Sequence, residues 1–251
     1  MNQLLTRWGR ELDNACPLND YPRPQMERDS FICLNGQWDY AICKKTEAFG
    51  GYQGKITVPF SPETILSGVN KTVTPDDVLY YKRTFDFKRT NSRVLLHFGA
   101  VDYKCEVKLN GVSLGEHKGG YFPFYFDASA AVKDGENELA VSVTDPSETG
   151  SQASGKQTSK RGGIWYTPQS GIWQTVWLEE VPENYIESVK ITPDIDKNNV
   201  KIAVYIAGEK SEADITVLDN GEIKAAGRTK NGEAEIKLEG YTLWSFIRPC
   251  Y

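Results

Sequence analysis

Gly162-Gly163-Ile164-Trp165-Tyr166-Thr167-Pro168-Gln169-Ser170-Gly171-Ile172-Trp173-Gln174-Thr175-Val176-Trp177-Leu178-Glu179 places three of the chain's six tryptophans within thirteen residues. From Ile172 onward the residues alternate between two faces, the period of a strand rather than of a helix. Ile172, Gln174, Val176 and Leu178 fall on one face, Trp173, Thr175, Trp177 and Glu179 on the other. Large apolar groups stand on both, which predicts a strand covered on both sides within a sandwich. A second stretch, His117-Lys118-Gly119-Gly120-Tyr121-Phe122-Pro123-Phe124-Tyr125-Phe126-Asp127, pairs a flexible Gly119-Gly120 step with a proline that disfavours helix. Its aromatic run from Tyr121 to Phe126 reads as a core strand in preference to a sugar-stacking platform.

Outward from these stretches the chain consists of short alternating runs separated by turns, with no amphipathic helix of consequence. Leu34-Asn35-Gly36-Gln37-Trp38, Tyr80-Tyr81-Lys82-Arg83-Thr84-Phe85, Phe98-Gly99-Ala100-Val101-Asp102-Tyr103, Val107-Lys108-Leu109-Asn110-Gly111 and Asn137-Glu138-Leu139-Ala140-Val141 follow in order. Together with the two stretches above, these motifs resemble in order and spacing the N-terminal domain of glycoside hydrolase family 2, the β-galactosidases, β-glucuronidases and β-mannosidases. The resemblance runs from Leu34 to Leu178 and implies an all-β fold, a jelly-roll sandwich of the galactose-binding type. In that family, catalysis belongs to a (β/α)₈ barrel C-terminal to the β domains, where two glutamates flank the glycosidic bond. Such a barrel needs about 250 residues, and two β domains already occupy this chain. The expectation is a non-catalytic N-terminal part of a family 2 protein, or a truncated relative, inactive by itself.

Three parts are expected. Residues 1–24 form a polar lead-in in which Pro17, Pro22 and Pro24 favour an extended segment lying over the sandwich, with Tyr21 able to pin it. Residues 25–182 form the jelly roll. Residues 183–251 read as a partial immunoglobulin-like domain: Tyr185–Ile191, Val200–Ile206, Ala213–Leu218 and Ala234–Leu238 alternate at period two, and Asp219-Asn220-Gly221 marks a hairpin. Such a sandwich needs about seven strands. Here Leu243-Trp244-Ser245 is followed by Phe246-Ile247-Arg248-Pro249-Cys250-Tyr251, which departs from the family pattern. An incomplete sheet leaves unpaired edges and an apolar face, so either marginal stability or association with another copy through this domain is expected.

Composition is that of a soluble globular protein, with 39% hydrophobic and 25% charged residues. The net charge of −5 without a basic cluster gives nucleic acid no electrostatic footprint, and nothing suggests a membrane partner. The N-terminus lacks the apolar core of a secretory signal, so a cytoplasmic location is expected. Five cysteines without CxxC spacing predict reduced thiols. With two histidines and no ligand spacing, neither a metal nor a cofactor is expected.

One region carries a case for ligand contact. The polar stretch Asp145–Gly163 is long for a loop within a domain. Gly155-Lys156-Gln157 is similar to a short motif of the family, which makes Lys156 and Gln157 candidate substrate contacts, against the alternative of solvated loop residues. The resembled galactosidases carry an aspartate where this chain has Trp165; an indole can stack on a pyranose, so Trp165 and Tyr166 are candidates too, against closure over the loop base. The adjacent pairs Asp76-Asp77 and Glu179-Glu180 point to opposite faces of a strand and read as surface charge. Three functions stay open: the accessory part of a β-glycosidase whose partner is a β-linked sugar in the intact enzyme, a stand-alone carbohydrate-binding module, or a structural domain without ligand.

Overall fold

The computed structural model describes residues 5–90, 93–209 and 212–241. Its contacts separate into two compact units that meet between Val181 and Pro182. The first holds twelve strands among its described residues: β1 (Ile32–Cys33), β2 (Gly36–Lys44), β3 (Gly54–Val58), β4 (Asp77–Phe87), β5 (Arg93–Phe98), β6 (Val101–Asp102), β7 (Lys104–Leu109), β8 (Val112–Lys118), β9 (Phe124–Asp127), β10 (Gly135–Thr144), β11 (Gly171–Ile172) and β12 (Val176–Val181). They form a six-stranded sheet of order β3-β2-β4-β10-β7-β8, a four-stranded sheet of order β1-β12-β5-β9, and a short β11-β6 pair.

Alternation explains the packing. On the larger sheet Trp38, Leu79, Tyr81, Val107, Leu109, Leu139, Val141 and Val143 point inward and are all but fully buried. Leu96, Phe98, Val176 and Leu178 of the smaller sheet join them in one core. The register aligns like with like: Val141 stands opposite both Tyr81 and Val107, and Leu139 opposite Leu109. Asn110 and Gly111, at φ 52° and 80°, supply the two left-handed residues that a tight β7–β8 hairpin requires.

The smaller sheet is covered on its outer face as well, because every residue of β12 is buried. Residues 21–31 lie over it as a strap. The Tyr21 ring meets Phe31 edge-on at 5.1 Å, and Arg23 reaches Glu179 at 2.6 Å while Arg28 pairs with its other oxygen. The Trp177 indole donates to Glu179 at 2.8 Å, and His97 stacks on Trp177 at 4.8 Å. Glu180 accepts from the Thr90 amide at 2.7 Å. Both glutamates are therefore buried and partnered, which corrects their reading as surface charge: the strap brings cations to a strand face that alternation alone would leave open. Asp77 departs from that reading too, since it is buried and caps the 74–77 turn by accepting from the Thr74 amide at 2.8 Å, while Asp76 is exposed.

The second unit has five strands among its described residues: β13 (Tyr185–Asp194), β14 (Asn199–Ala207), β15 (Asp214–Asp219), β16 (Glu222–Arg228) and β17 (Glu233–Lys237). They pair as β13-β14-β17 and β15-β16. Val200, Ile202, Val204 and Ile236 form a small core against which Ile215 and Ala225 pack. Asn220 and Gly221 turn the β15–β16 hairpin. Ile191, Ile195, Tyr205, Leu218 and Ile223 are each more than half exposed. The divergent tail after Thr242 lies outside the described residues.

All members of the larger core precede Pro182. Truncation after Pro182 is accordingly expected to leave a folded, monomeric first unit, because no core side chain is removed. Size-exclusion chromatography and thermal unfolding check this; loss of a cooperative transition would show that the first unit depends on the second.

Candidate functional site

The register of the larger sheet gathers several loops at one place. Thr144 at the end of β10 pairs with Lys104 at the start of β7, which in turn pairs with Lys118 at the end of β8. The segments 99–103, 119–123 and 145–170 therefore emerge together. Trp173 ties them by donating its indole N–H to the Gly120 carbonyl at 2.8 Å, and Tyr121 meets its ring edge-on at 6.3 Å. Gly171, at φ 78°, pairs with Asp102. A side chain there would strike the Tyr81 hydroxyl, which accepts from the Ile172 amide at 3.1 Å, so glycine is required on both counts.

Beneath the long loop lie three acidic side chains. Asp145 accepts from the Ser147 amide at 2.6 Å and the Ser170 hydroxyl at 2.7 Å. Glu63 accepts from the Val73 amide at 3.1 Å and the Ser170 amide at 3.2 Å; burial nonetheless pushes its carboxyl above the ordinary value. Asp102 lies close against Gly120, and burial first, then the charges of Asp145 and Glu63, push it up to about 7. Asp102 thus titrates near neutrality. Among the described residues no group of three or more His, Cys, Asp or Glu is placed to hold a metal, and no helix is long and apolar enough to cross a membrane.

The four sequence candidates occupy two different situations. Gln157 is half-buried and committed within the loop: its amide donates to the Tyr121 hydroxyl at 3.3 Å and accepts from the Gln169 amide at 2.6 Å. Its role in this arrangement is to hold the loop to Tyr121. Lys156 is exposed, and its carbonyl accepts from the Tyr166 amide at 2.9 Å. The 162–165 turn then projects an apolar tip, with Ile164 62%, Trp165 48% and Tyr166 66% exposed. The two aromatics therefore face solvent instead of closing over the loop base. Tyr121 and Phe122 are also exposed, whereas Phe124 and Phe126 pack on the core, so the aromatic run is a core strand only in its second half.

Sequence reasoning missed a polar cleft of about 270 Å³ between the loop and the β3–β4 connection. Glu63, Asn70, Thr72, Thr158, Ser159 and Arg161 line it. It offers hydroxyls, an amide, a carboxylate and a guanidinium, the groups that hydrogen-bond a polyhydroxyl ligand. Its walls come from segments about ninety residues apart in the chain, a separation that no local motif displays.

The first unit is an all-β sandwich with its long loops gathered over a polar floor. Residues 53–171 match the family described as "Glycosyl hydrolase 2 galactose-binding domain-like", the region in which the resemblance read from the sequence also falls. The chain is 30% identical over 162 residues to a β-galactosidase of Thermoanaerobacter pseudethanolicus, covering 62% of this chain and 20% of that protein. It is 28% identical over 151 residues to a putative β-glucuronidase of Formosa agariphila, covering 58% and 16%. The fold superposes on a β-glucuronidase of Faecalibacterium prausnitzii with a TM-score of 0.67 and 25% identity, covering 89% of this chain and 43% of that one. The chain thus spans less than half the length of these relatives.

Proposed function

We propose that the chain acts as the accessory N-terminal module of a β-glycosidase, presenting the 145–170 loop to a β-linked sugar held by a companion catalytic domain. The exposed Ile164-Trp165-Tyr166 tip carries this reading. An apolar tip of that size is unfavourable in water unless something covers it, and the polar cleft beside it supplies hydrogen-bonding groups for hydroxyls. Trp165 and Tyr166 would stack on the sugar, with Lys156 at the rim. The second unit, two small sheets sharing one core, supports an immunoglobulin-like spacer that sets the module's distance from the catalytic domain. The polar cleft lies wholly within the first unit, which favours as a second reading a module that binds sugar on its own.

The 251-residue chain is expected to show no turnover of nitrophenyl β-glucuronide or β-galactoside, because its described residues contain no barrel to carry an acid and a nucleophile. Activity that survives repurification would overturn the accessory reading. Sugar contact is tested by NMR with glucuronate and galactose at tens of millimolar. The accessory reading expects weak, fast-exchange shifts confined to the Trp165 indole and residues lining the cleft, since one wall encloses too little ligand to offset its lost freedom. Saturation at micromolar sugar would favour the self-sufficient module, and unchanged loop resonances would refute both readings.

A further inference from the structure

The N-terminal segment is fixed to the sandwich at a second place besides Glu179. Gly36, at φ 108°, lies so close to the Ala15 carbonyl that a Cβ there would sit 2.1 Å from that oxygen. Asn35, fully buried, donates to the Pro17 carbonyl at 3.0 Å and accepts from the Val176 amide at 3.0 Å. Cys16 stands between these two anchored neighbours, and Cys33 ends β1 two residues before Asn35. The two cysteines thus stand on segments held side by side, and the Cys16 thiol is one of the groups that act on Cys33. Both are half-buried free thiols, whereas Cys105 is buried in the core.

We propose that Cys16 and Cys33 form a redox-reactive pair that a low-molecular-weight disulfide converts to a protein disulfide, fastening the N-terminal strap covalently to β1. The Cys16 thiolate attacks one sulfur of the reagent, breaking its S–S bond, expelling one thiolate and forming a mixed disulfide. Cys33 then gives its proton to solvent and attacks the Cys16 sulfur, expelling the second small thiolate. Two protein thiols are oxidised and one external disulfide is reduced to two thiols. Burial, together with the neighbouring Cys16 thiol, pushes the Cys33 thiol up to about 12, so the first attack falls to Cys16 and the second is the slower step.

The bond would close a ring over residues 16–33, which contains Tyr21, Arg23 and Arg28, the three side chains that cover Glu179. Fewer unfolded arrangements would then be open to the strap. The pair is therefore a switch between a strap held by non-covalent contacts alone and one also held covalently.

The experiment treats the full chain with oxidised glutathione, blocks free thiols and maps tryptic peptides. The expected product links the peptides Glu11–Arg28 and Asp29–Lys44 and is reversed by dithiothreitol. Because the second peptide holds Cys33 and Cys43, Cys43→Ser is expected to keep the link, and Cys16→Ser and Cys33→Ser to abolish it. Cleavage after Arg28 in the native chain should slow about tenfold on oxidation. Glutathione adducts persisting on Cys16 and Cys33 without a link, or a link that survives in Cys33→Ser, would overturn the proposal. Fragmentation of the linked peptides from the unsubstituted chain, which places the bond on Cys33 or on Cys43, decides even if a serine variant folds poorly.

Discussion

Replacing Glu179 with Ala is expected to destabilise the first unit by about 3 kcal/mol, the low end of what breaking a buried ion pair costs. The side chain is fully buried and receives Arg23, Arg28, the Tyr21 hydroxyl and the Trp177 indole. Removing it leaves two guanidinium groups without their anion on the face of the smaller sheet. The low end is appropriate because Arg23 and Arg28 keep 27% and 17% of their side-chain surface in water and can turn outward. Urea unfolding followed by tryptophan fluorescence measures the loss, and tryptic cleavage after Arg28 should become fast as the strap detaches. Glu179→Gln, which keeps the shape and part of the hydrogen bonding, is expected to fall between. A variant as stable as the parent would mean that the contacts to Glu179 contribute nothing net to the sandwich.

The same group sets a dependence on acid. Burial pushes the Glu179 carboxyl up, but the His97 ring 3.4 Å away and hydrogen bonds from Tyr21 and Arg23 outweigh it and hold the group well below its ordinary 4.5. Its stabilisation is complete above pH 4.5 and is lost as the pH falls from there toward the lowered folded value. His97 acts earlier. Burial, with Arg23 and Arg28 adding to it, outweighs the upward pull of the Glu179 carboxylate, so its folded value lies below 6.5. Below pH 6.5 the unfolded chain takes up a proton that the folded one refuses, and stability declines. The contribution of His97, read as the difference in urea midpoint between the parent and His97→Gln, should therefore decline below pH 6.5, and that of Glu179, read against Glu179→Gln, below pH 4.5.

The parts of the fold legible in the sequence are those written in neighbouring residues. The period-two run from Ile172 to Glu179 announces β12, and its two apolar faces announce cover on both sides. Asn110-Gly111 and Asn220-Gly221 announce their hairpins because few residue pairs accept two left-handed conformations in succession. Glu179 was not legible, since its meaning depends on Arg23 and Arg28, about 150 residues away, which reach it only once Pro22 and Pro24 have carried the strap across the sheet. The aromatic run from Tyr121 was half legible: composition says that the residues are apolar, but whether a ring faces the core depends on where β9 begins, at Phe124. At the candidate site, Trp165 and Tyr166 stood out by residue type, whereas Glu63, Asp102 and Asp145 are single acids at the ends of unrelated runs. Their mutual repulsion exists only after β6, β10 and the β3–β4 connection have come together.

That repulsion gives Asp102→Asn an expected stabilising effect, of opposite sign to the losses at Glu179 and His97. The Asp102 carboxyl is raised from 3.8 to about 7 by burial and by the charges of Asp145 and Glu63, so the folded state binds its proton more tightly than the unfolded chain does. Below pH 3.8 both states are protonated and Asp102 costs nothing. Between pH 3.8 and about 7 the unfolded chain loses its proton first, and stability declines as the pH rises; above 7 the full cost is present. An interval from 3.8 to about 7 corresponds to about 4 kcal/mol at full effect. Partial access of the carboxyl to water screens this to about 2 kcal/mol. Asparagine keeps the shape of the protonated acid without its charge, so Asp102→Asn should raise the unfolding temperature at pH 8, raise it less at pH 5, and leave it unchanged below pH 3.8. A gain of the same size at every pH would trace the effect to packing against Gly120 instead of to charge. A loss at pH 8 would show that the ionised carboxylate is held by partners stronger than its two acidic neighbours.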